Sequence, residues 1–231
     1  MMQLDIQGVQ GVIFDCDGVL IDSRQANVAY YNLILQAIGL PGLRASDEEY
    51  VHSHTVTESI RACVPAGRLQ EALQAAKSVT YRQVLPHIRI QPGLFKLLDH
   101  LRTASFLIGI NTNRTNTMHL VLERFDLEPY FFPVMTASAV TWPKPHPESL
   151  FTVLRMWGLE PEQAVFIGDT EVDQLTAQAA GVRFWAYQNP QLAADLHLPD
   201  YWTALECLTS PTNGSAMGSI DRNRCSALAC R

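Results

Sequence analysis

The segment VIFDCDGVLIDS, residues 12–23, runs an apolar stretch straight into two carboxylates. Val12, Ile13 and Phe14 form a short continuous apolar run, the pattern of a strand buried on both faces of a parallel sheet. Asp15 and Asp17 follow, although a carboxylate at a buried strand end loses solvation unless a proton or a cation satisfies it. Gly18 then lets the backbone leave the strand sharply. Asp-Gly pairs are also ordinary turn formers. Alone, the stretch fits a decorated turn as well as it fits a site, and the rest of the chain decides.

Downstream of Pro92 the apolar rhythm alternates between two periods. PGLFKLLDHLRT repeats apolar residues at helical spacing, and Phe106–Ile110 (FLIGI) reads as a strand. Thr115–Leu127 reads as a helix, FFPVM as a weaker strand, Pro147–Leu159 as a helix and Ala164–Gly168 (AVFIG) as a strand. Val172–Ala180 then reads as a helix and Val182–Tyr187 (VRFWAY) as a strand. Strands alternating with helices imply right-handed crossovers and a parallel sheet covered on both faces. The expected fold class is therefore α/β, and such sheets place their chemistry beyond the carboxyl ends of the strands.

Between the first strand and Arg89 the pattern is helical. Ala26–Leu40, Ser46–Val64 and Gly67–Leu85 carry helical spacing, with breaks at Gly39, Pro65 and Gly67, and no strand is read between Asp22 and Arg89. The expected organisation is an α/β core from residues 1–22 and 90–208, an inserted helical domain at 23–89, and a tail at 209–231. That tail is rich in Ser, Gly and Asn and is read as disordered.

The 231 residues are 47% apolar, enough for one large domain or a core with an insertion. A net charge of −6 argues against a nucleic-acid partner, which requires a basic face. No apolar run reaches membrane-spanning length, and MMQLDIQGVQ lacks the basic start and apolar stretch of a leader. The expectation is a soluble, cytoplasmic protein, monomer or homodimer, with no membrane association. The five cysteines, Cys16, Cys63, Cys207, Cys225 and Cys230, are odd in number and show no C-x-x-C spacing. Cys16 lies between two aspartates, which disfavour a thiolate, so it reads as buried and inert.

Four segments at the strand ends carry polar residues: Asp15 and Asp17; Thr112 and Asn113 in IGINTNRT; Lys144 in TWPKPHPESL; Asp169 and Asp173 in FIGDTEVD. Singly, each has an ordinary explanation. Thr112 fits a helix cap, Lys144 a solvated loop, and Asp169 and Asp173 a cap and a first-turn acid favoured by the helix dipole. Together they bring acids, a hydroxyl and one of only three lysines to one edge of one sheet.

A phosphate dianion beside ionised Asp15 tests that constellation. A full charge about 4 Å away costs about 4 kcal/mol at an effective dielectric near 20, and two such charges roughly 8. Lys144 offsets about half of that repulsion. A divalent cation on Asp15, Asp169 and Asp173 offsets the remainder. Mg²⁺ suits the set, because it takes one or two carboxylates plus waters and a phosphate oxygen. A carboxylate can then attack phosphorus to form an aspartyl-phosphate, while Asp17 protonates the leaving oxygen and later deprotonates the attacking water.

DCDGVLIDS, NTN, KPHPESL and GDTEVD, in that order from the first strand to Asp173, resemble the four signature motifs of the haloacid dehalogenase-like (HAD) hydrolase superfamily, in its phosphatase branch. The helical insertion after the first motif resembles the α-helical cap of the phosphoglycolate phosphatase and β-phosphoglucomutase group. The resemblance implies a Rossmann-like core with an inserted helical cap. It makes Asp15 the nucleophile, Asp17 the acid/base, Thr112 and Asn113 the phosphoryl binders, and Lys144 the group that screens phosphate and orients the nucleophile. Mg²⁺ is held by Asp15, the backbone carbonyl of Asp17, and Asp169, with Asp173 supporting the metal shell. It also makes Lys144-Pro145 a candidate cis bond. Two departures stand out. GDTEVD replaces the commoner GDS-x-x-D, with Thr170 supplying the hydroxyl. Trp142 stands where smaller residues are usual and is assigned only to packing.

Within that family Asp17 speaks against a dehalogenase, which has no leaving group to protonate. The only lysine of the insertion, Lys77, lies late in its last helix, against a phosphonoacetaldehyde hydrolase. The expected activity is Mg²⁺-dependent hydrolysis of a small phosphorylated metabolite, phosphoglycolate-like or a sugar phosphate. A β-phosphoglucomutase-like mutase and a catalytically inactive regulatory relative are the alternatives. A response-regulator receiver does not fit, since its phosphoacceptor does not lie in a D-x-D on the first strand. His52, His54 and Thr55, in VHSHTVTES, are donors suited to a carboxylate, a sugar or a second phosphate, and fit equally well as surface polar residues.

Overall fold

The structure, a computed structural model, describes residues 8–53 and 56–209. In chain order its first elements are β1 (Gly11–Phe14), β2 (Ile21–Asp22), α1 (Arg24–Ala37), α2 (Glu48–Ser53), α3 (Val56–Cys63), α4 (Leu69–Ala76), α5 (Tyr81–Val84) and β3 (Arg89–Ile90). Then come α6 (Leu94–Thr103), β4 (Leu107–Asn111), α7 (Met118–Arg124), β5 (Val134–Met135) and α8 (Glu148–Trp157). The last are β6 (Ala164–Gly168), α9 (Glu171–Ala180), β7 (Arg183–Tyr187), β8 (Leu196–Leu198) and α10 (Tyr201–Thr209). No helix among the described residues is long and apolar enough to cross a membrane.

These elements form two compact units, one holding residues 8–15, 92–113 and 130–209, the other 16–91 and 114–129. The second unit thus takes in 114–129, a segment that the sequence reading assigns to the core.

The first unit is built on a six-stranded sheet of order β5-β4-β1-β6-β7-β8 in which every neighbouring pair is parallel. This is the α/β, Rossmann-like architecture expected. β1 and β6 are buried along their whole length because helices cover both faces, which is why they read as unbroken apolar runs. Successive side chains point to opposite faces. Ile13 packs with Phe166 and Phe184 among Leu150, Val153 and Leu154 of α8 and Ala177 of α9. Phe14, next along, meets Phe131 and Tyr201 edge-on instead, and Tyr201 stacks on Tyr187. The chain runs from β1 out to β4 and β5, then returns across β1 to β6 and outward to β8. That reversal makes a crevice at the carboxyl ends of β1, β4 and β6.

The second unit packs its own core of Tyr31, Ile34, Leu35 and Ile38 from α1 and its end against Val51, Ile60, Val64 and Ala72. Its helices are shorter than the periodicity predicts. Ser46–Val64 divides into α2 and α3, and the stretch from Gly67 divides into α4 and α5, the latter starting at a capping box of Thr80 with Gln83. Two residues on each side, Ile21 and Asp22 opposite Ile90 and Arg89, pair as an antiparallel ribbon where no strand is read. Gly18 takes the left-handed turn that its position requires, φ 77°, with its N–H donating to the Ile21 carbonyl at 2.8 Å. Cys16 is buried, as expected.

Candidate active site

The ends of three adjacent parallel strands carry the acids and the hydroxyl. β1 aligns with β4 and β6 so that Phe14 is opposite Ile110 and Ile167. One residue on, the Asp15 N–H donates to the Ile167 carbonyl at 2.9 Å, which extends the strand and turns the buried Asp15 carboxylate into the crevice. Asp169 follows the end of β6. Thr112 follows β4, 2% exposed, and its N–H donates to the Met135 carbonyl at 2.9 Å.

Asp173 comes from the first turn of α9. Thr170 caps that helix: its hydroxyl donates to Asp173 Oδ2 at 2.5 Å, and the Thr170 N–H donates to the same oxygen at 3.2 Å. Thr170 therefore supplies the hydroxyl expected of it. The capped turn lies directly on β6. A Cβ built on Gly168 would stand 2.3 Å from the Asp173 Cβ, so only glycine admits this approach.

Lys144 is 4% exposed at its side chain and joins two of the acids, with Nζ donating to Asp15 Oδ1 at 2.8 Å and to Asp173 Oδ1 at 2.5 Å. Burial alone pushes an ammonium toward neutrality, but the two carboxylates overcome it and raise the Lys144 pKa above its ordinary value. Its backbone is held by Asn113: Nδ2 donates to the Lys144 carbonyl and Oδ1 accepts the Lys144 N–H, each at 3.1 Å. The Lys144–Pro145 bond is cis, as the resemblance implied, and a second cis bond, Phe132–Pro133, has no sequence signal that was read. Glu148 accepts from the backbone N–H groups of Thr141 and Trp142, at 3.0 and 2.9 Å, and shapes the loop before Lys144. Trp142 itself is 60% exposed, so the packing role expected of it is corrected: it lies outside the core, its ring tilted toward His146.

Asp15, Asp169 and Asp173 can each offer an oxygen such that all three lie within 4.8 Å of one another. Ionised, they carry three negative charges against the one positive charge of Lys144. Asp169 Oδ1 is enclosed and has no hydrogen-bond partner. Burial, then the charges of Asp15 and Asp173, push the Asp169 pKa up to about 8, against the opposing pull of Lys144. An enclosed oxygen lacking a donor, in an all-oxygen set with excess negative charge, fits a hard divalent cation such as Mg²⁺.

Asp17 belongs to the second unit and meets another set of partners. Ser23 Oγ donates to its Oδ1 at 2.6 Å, and Arg114 donates through Nε to Oδ2 and through Nη2 to Oδ1, both at 2.6 Å. Arg114 was not singled out in the sequence. Its only signal is its place directly after Asn113, and its partner lies far away along the chain. His52 lies in α2 with a side chain that is not described, and His54 and Thr55 fall outside the described residues.

Residues 12–187 match the family model of haloacid dehalogenase-like hydrolases. Among solved structures, the chain is similar to a HAD-superfamily hydrolase of subfamily IA, variant 1, from Geobacter sulfurreducens. The TM-score is 0.82 at 38% identity, covering 87% of this chain and 97% of that one. A phosphoglycolate phosphatase from Salmonella typhi is 28% identical over 201 residues, 76% of this chain and 80% of the relative. The pyrophosphatase PpaX of Bacillus pumilus is 28% identical over 200 residues, 84% of this chain and 91% of the relative.

Proposed function

The chain belongs to the haloacid dehalogenase-like hydrolase family, and on that premise we propose that it is an Mg²⁺-dependent phosphatase that hydrolyses a small phosphorylated metabolite through a phosphoryl group carried on Asp15. It is a phosphoric monoester hydrolase, in keeping with curated relatives that are phosphatases by name. Those names favour hydrolysis over the mutase alternative. The complete set of acids with Lys144 argues against an inactive relative. Phosphoglycolate-like compounds and sugar phosphates are the proposed substrates, with pyrophosphate added by the likeness to PpaX.

The observation that carries this reading is the charge imbalance at the strand ends: three carboxylates, one lysine bonded to two of them, and an enclosed Asp169 oxygen without a partner. Asp15, Asp169 and the Asp17 backbone carbonyl would hold Mg²⁺, with Asp173 in support. The bound ion would supply charge stabilisation to the phosphoryl oxygens.

The chain's own residues account for the rest. Lys144 holds Asp15 Oδ1 and fixes the carboxylate for attack while its charge screens the incoming phosphate. The Asn113 side chain is engaged by the Lys144 backbone, so its contribution to phosphoryl binding falls to its backbone N–H, beside Thr112. Asp15 forms a bond to phosphorus as the ester bond breaks, and Asp17 gives a proton to the departing oxygen. Asp17 then takes a proton from water, which attacks the phosphoryl group. Inorganic phosphate leaves and the Asp15 carboxylate is restored.

Residues 23–89 serve, in this reading, as the α-helical cap of a core formed by 1–22 and 90–208, with His52, His54 and Thr55 contributing to substrate choice. The test is a panel of phosphorylated metabolites scored by release of inorganic phosphate, with Mg²⁺ and with excess EDTA. Mg²⁺-dependent release from a small carboxylate- or sugar-bearing monoester is expected. Full activity in EDTA would remove the metal assignment.

A further inference from the structure

Arg114 has no assigned part in phosphatase chemistry, yet every nitrogen of its guanidinium is engaged. Nε and Nη2 form a two-pronged fork on the Asp17 carboxylate. Nη1 donates to the Tyr81 hydroxyl and, at 3.3 Å, to Thr117 Oγ1. The Tyr81 ring lies beneath the guanidinium, its centroid 5.0 Å from the Arg114 Cζ. Tyr81 opens α5, whose start is fixed by the Thr80–Gln83 capping box. All these groups belong to the second unit.

Exposed ion pairs usually contribute little, because two long side chains must be frozen into one geometry. Here one partner is already frozen. The Arg114 side chain is 11% exposed and is clamped by Tyr81 and Thr117, whereas Asp17 is 41% exposed. The terminal torsion of an aspartate is broad and weakly determined by itself. A rigid planar fork meeting both oxygens, with Ser23 on one of them, defines which way that carboxylate faces. A group that relays protons must be held within hydrogen-bond reach and to a narrow range of angles.

We propose that Arg114, braced by Tyr81, is a positioning residue that holds the Asp17 carboxylate in the orientation from which it moves protons. This rests on the reading of Asp17 as acid/base given above. The fork requires arginine: a lysine ammonium presents a point charge and cannot meet both oxygens in one plane.

The test compares wild type, Asp17→Asn, Arg114→Met and the double variant on p-nitrophenyl phosphate, whose leaving group needs no proton, and ethyl phosphate, whose leaving group does. Arg114→Met is expected to lower kcat for ethyl phosphate by about 10–100-fold, the cost of a misplaced group. It should change kcat for p-nitrophenyl phosphate by less than about 3-fold and leave both KM values near wild type. In the Asp17→Asn background the same substitution should cost nothing further, because Arg114 acts through Asp17. Arg114→Lys should restore part of the loss. Tyr81→Phe, which keeps the ring, provides a milder variant if Arg114→Met fails to fold, and its smaller loss should fall on ethyl phosphate alone.

Equal losses on both esters, a rise in rate, or a loss that adds to that of Asp17→Asn would each overturn the proposal and leave Asp17 in place. An Asp17→Asn variant indifferent to the leaving group would remove the acid/base reading itself, and the Arg114 role with it.

Discussion

The two units keep their charged side chains under opposite conditions. In the α/β unit Lys144 and its partners Asp15 and Asp173 are 4%, 9% and 0% exposed at the side chain. In the helical unit the Arg114–Asp17 pair has one partner open to water, at 11% and 41%. Charges withdrawn from water become costly once a partner is removed, so the first set is tied to stability as well as to chemistry. A half-exposed pair has solvent to fall back on, so it can set a direction without carrying much of the fold. Stability and turnover should therefore respond together in one unit and separately in the other.

The sharpest break is at Asp15. Asp15→Asn keeps the shape and loses the nucleophile, and turnover should fall by on the order of 10⁵-fold, comparable to removing a covalent nucleophile elsewhere. Circular dichroism should show a folded protein. A variant retaining a tenth of wild-type rate, free of deamidation, would mean that water attacks phosphorus directly.

Next is Lys144→Met, which leaves two buried carboxylates without their cation. The loss of stability should be about 3–5 kcal/mol by urea denaturation in metal-free buffer. Arg114→Met should cost about 0–1 kcal/mol by the same method. Equal costs would erase the contrast between the units.

A smaller effect is expected from Asp169. Its folded pKa is raised to about 8 from 3.8, first by burial and then by the charges of Asp15 and Asp173. The native state therefore binds more protons than the unfolded chain between those values. The contribution is fully present below about pH 4 and is lost as pH rises through about 8. Without metal, the urea midpoint should fall between pH 5 and 8.5. Mg²⁺ should restore it, most strongly at the upper end, since ligands must be deprotonated to bind. Asp169→Asn should flatten the decline, and an unchanged slope in that variant would refute the assignment.

The smallest effect concerns the helical unit. Substituting His52 and His54 with Ala should raise KM or lower kcat/KM for the physiological monoester while leaving p-nitrophenyl phosphate nearly unchanged. Equal loss on both substrates would assign these histidines to folding or chemistry.

The same contrast explains what could be read from the chain. β1 and β6 were legible because burial on both faces leaves an unbroken apolar run, and the acids at their ends stand out against it. Asp173 was legible because a strand-end glycine, a capping threonine and a first-turn acid are local neighbours: Gly168, Thr170 and Asp173. β2 and β3 were not, since two-residue strands carry no period. The edge strand Leu196–Leu198 and α10 also went unread, the strand being three residues long and alternating around a single histidine. The grip of Asn113 on the Lys144 backbone and of Arg114 on Asp17 joins residues 31 and 97 positions apart, and no spacing rule announces such a pair. The helices of the insertion were overextended because apolar periodicity continues through the capped start at Thr80.

The central claim is that the strand-end carboxylate carries the phosphoryl group, and trapping that species tests it most directly. A radiolabelled phosphomonoester would be mixed with enzyme and Mg²⁺, quenched during turnover, and the peptides mapped. Label is predicted on the peptide holding Asp15, labile to hydroxylamine as an acyl phosphate is, and absent from Asp15→Asn. Phosphate released at the full rate with no label on the enzyme at any quench time would contradict the account.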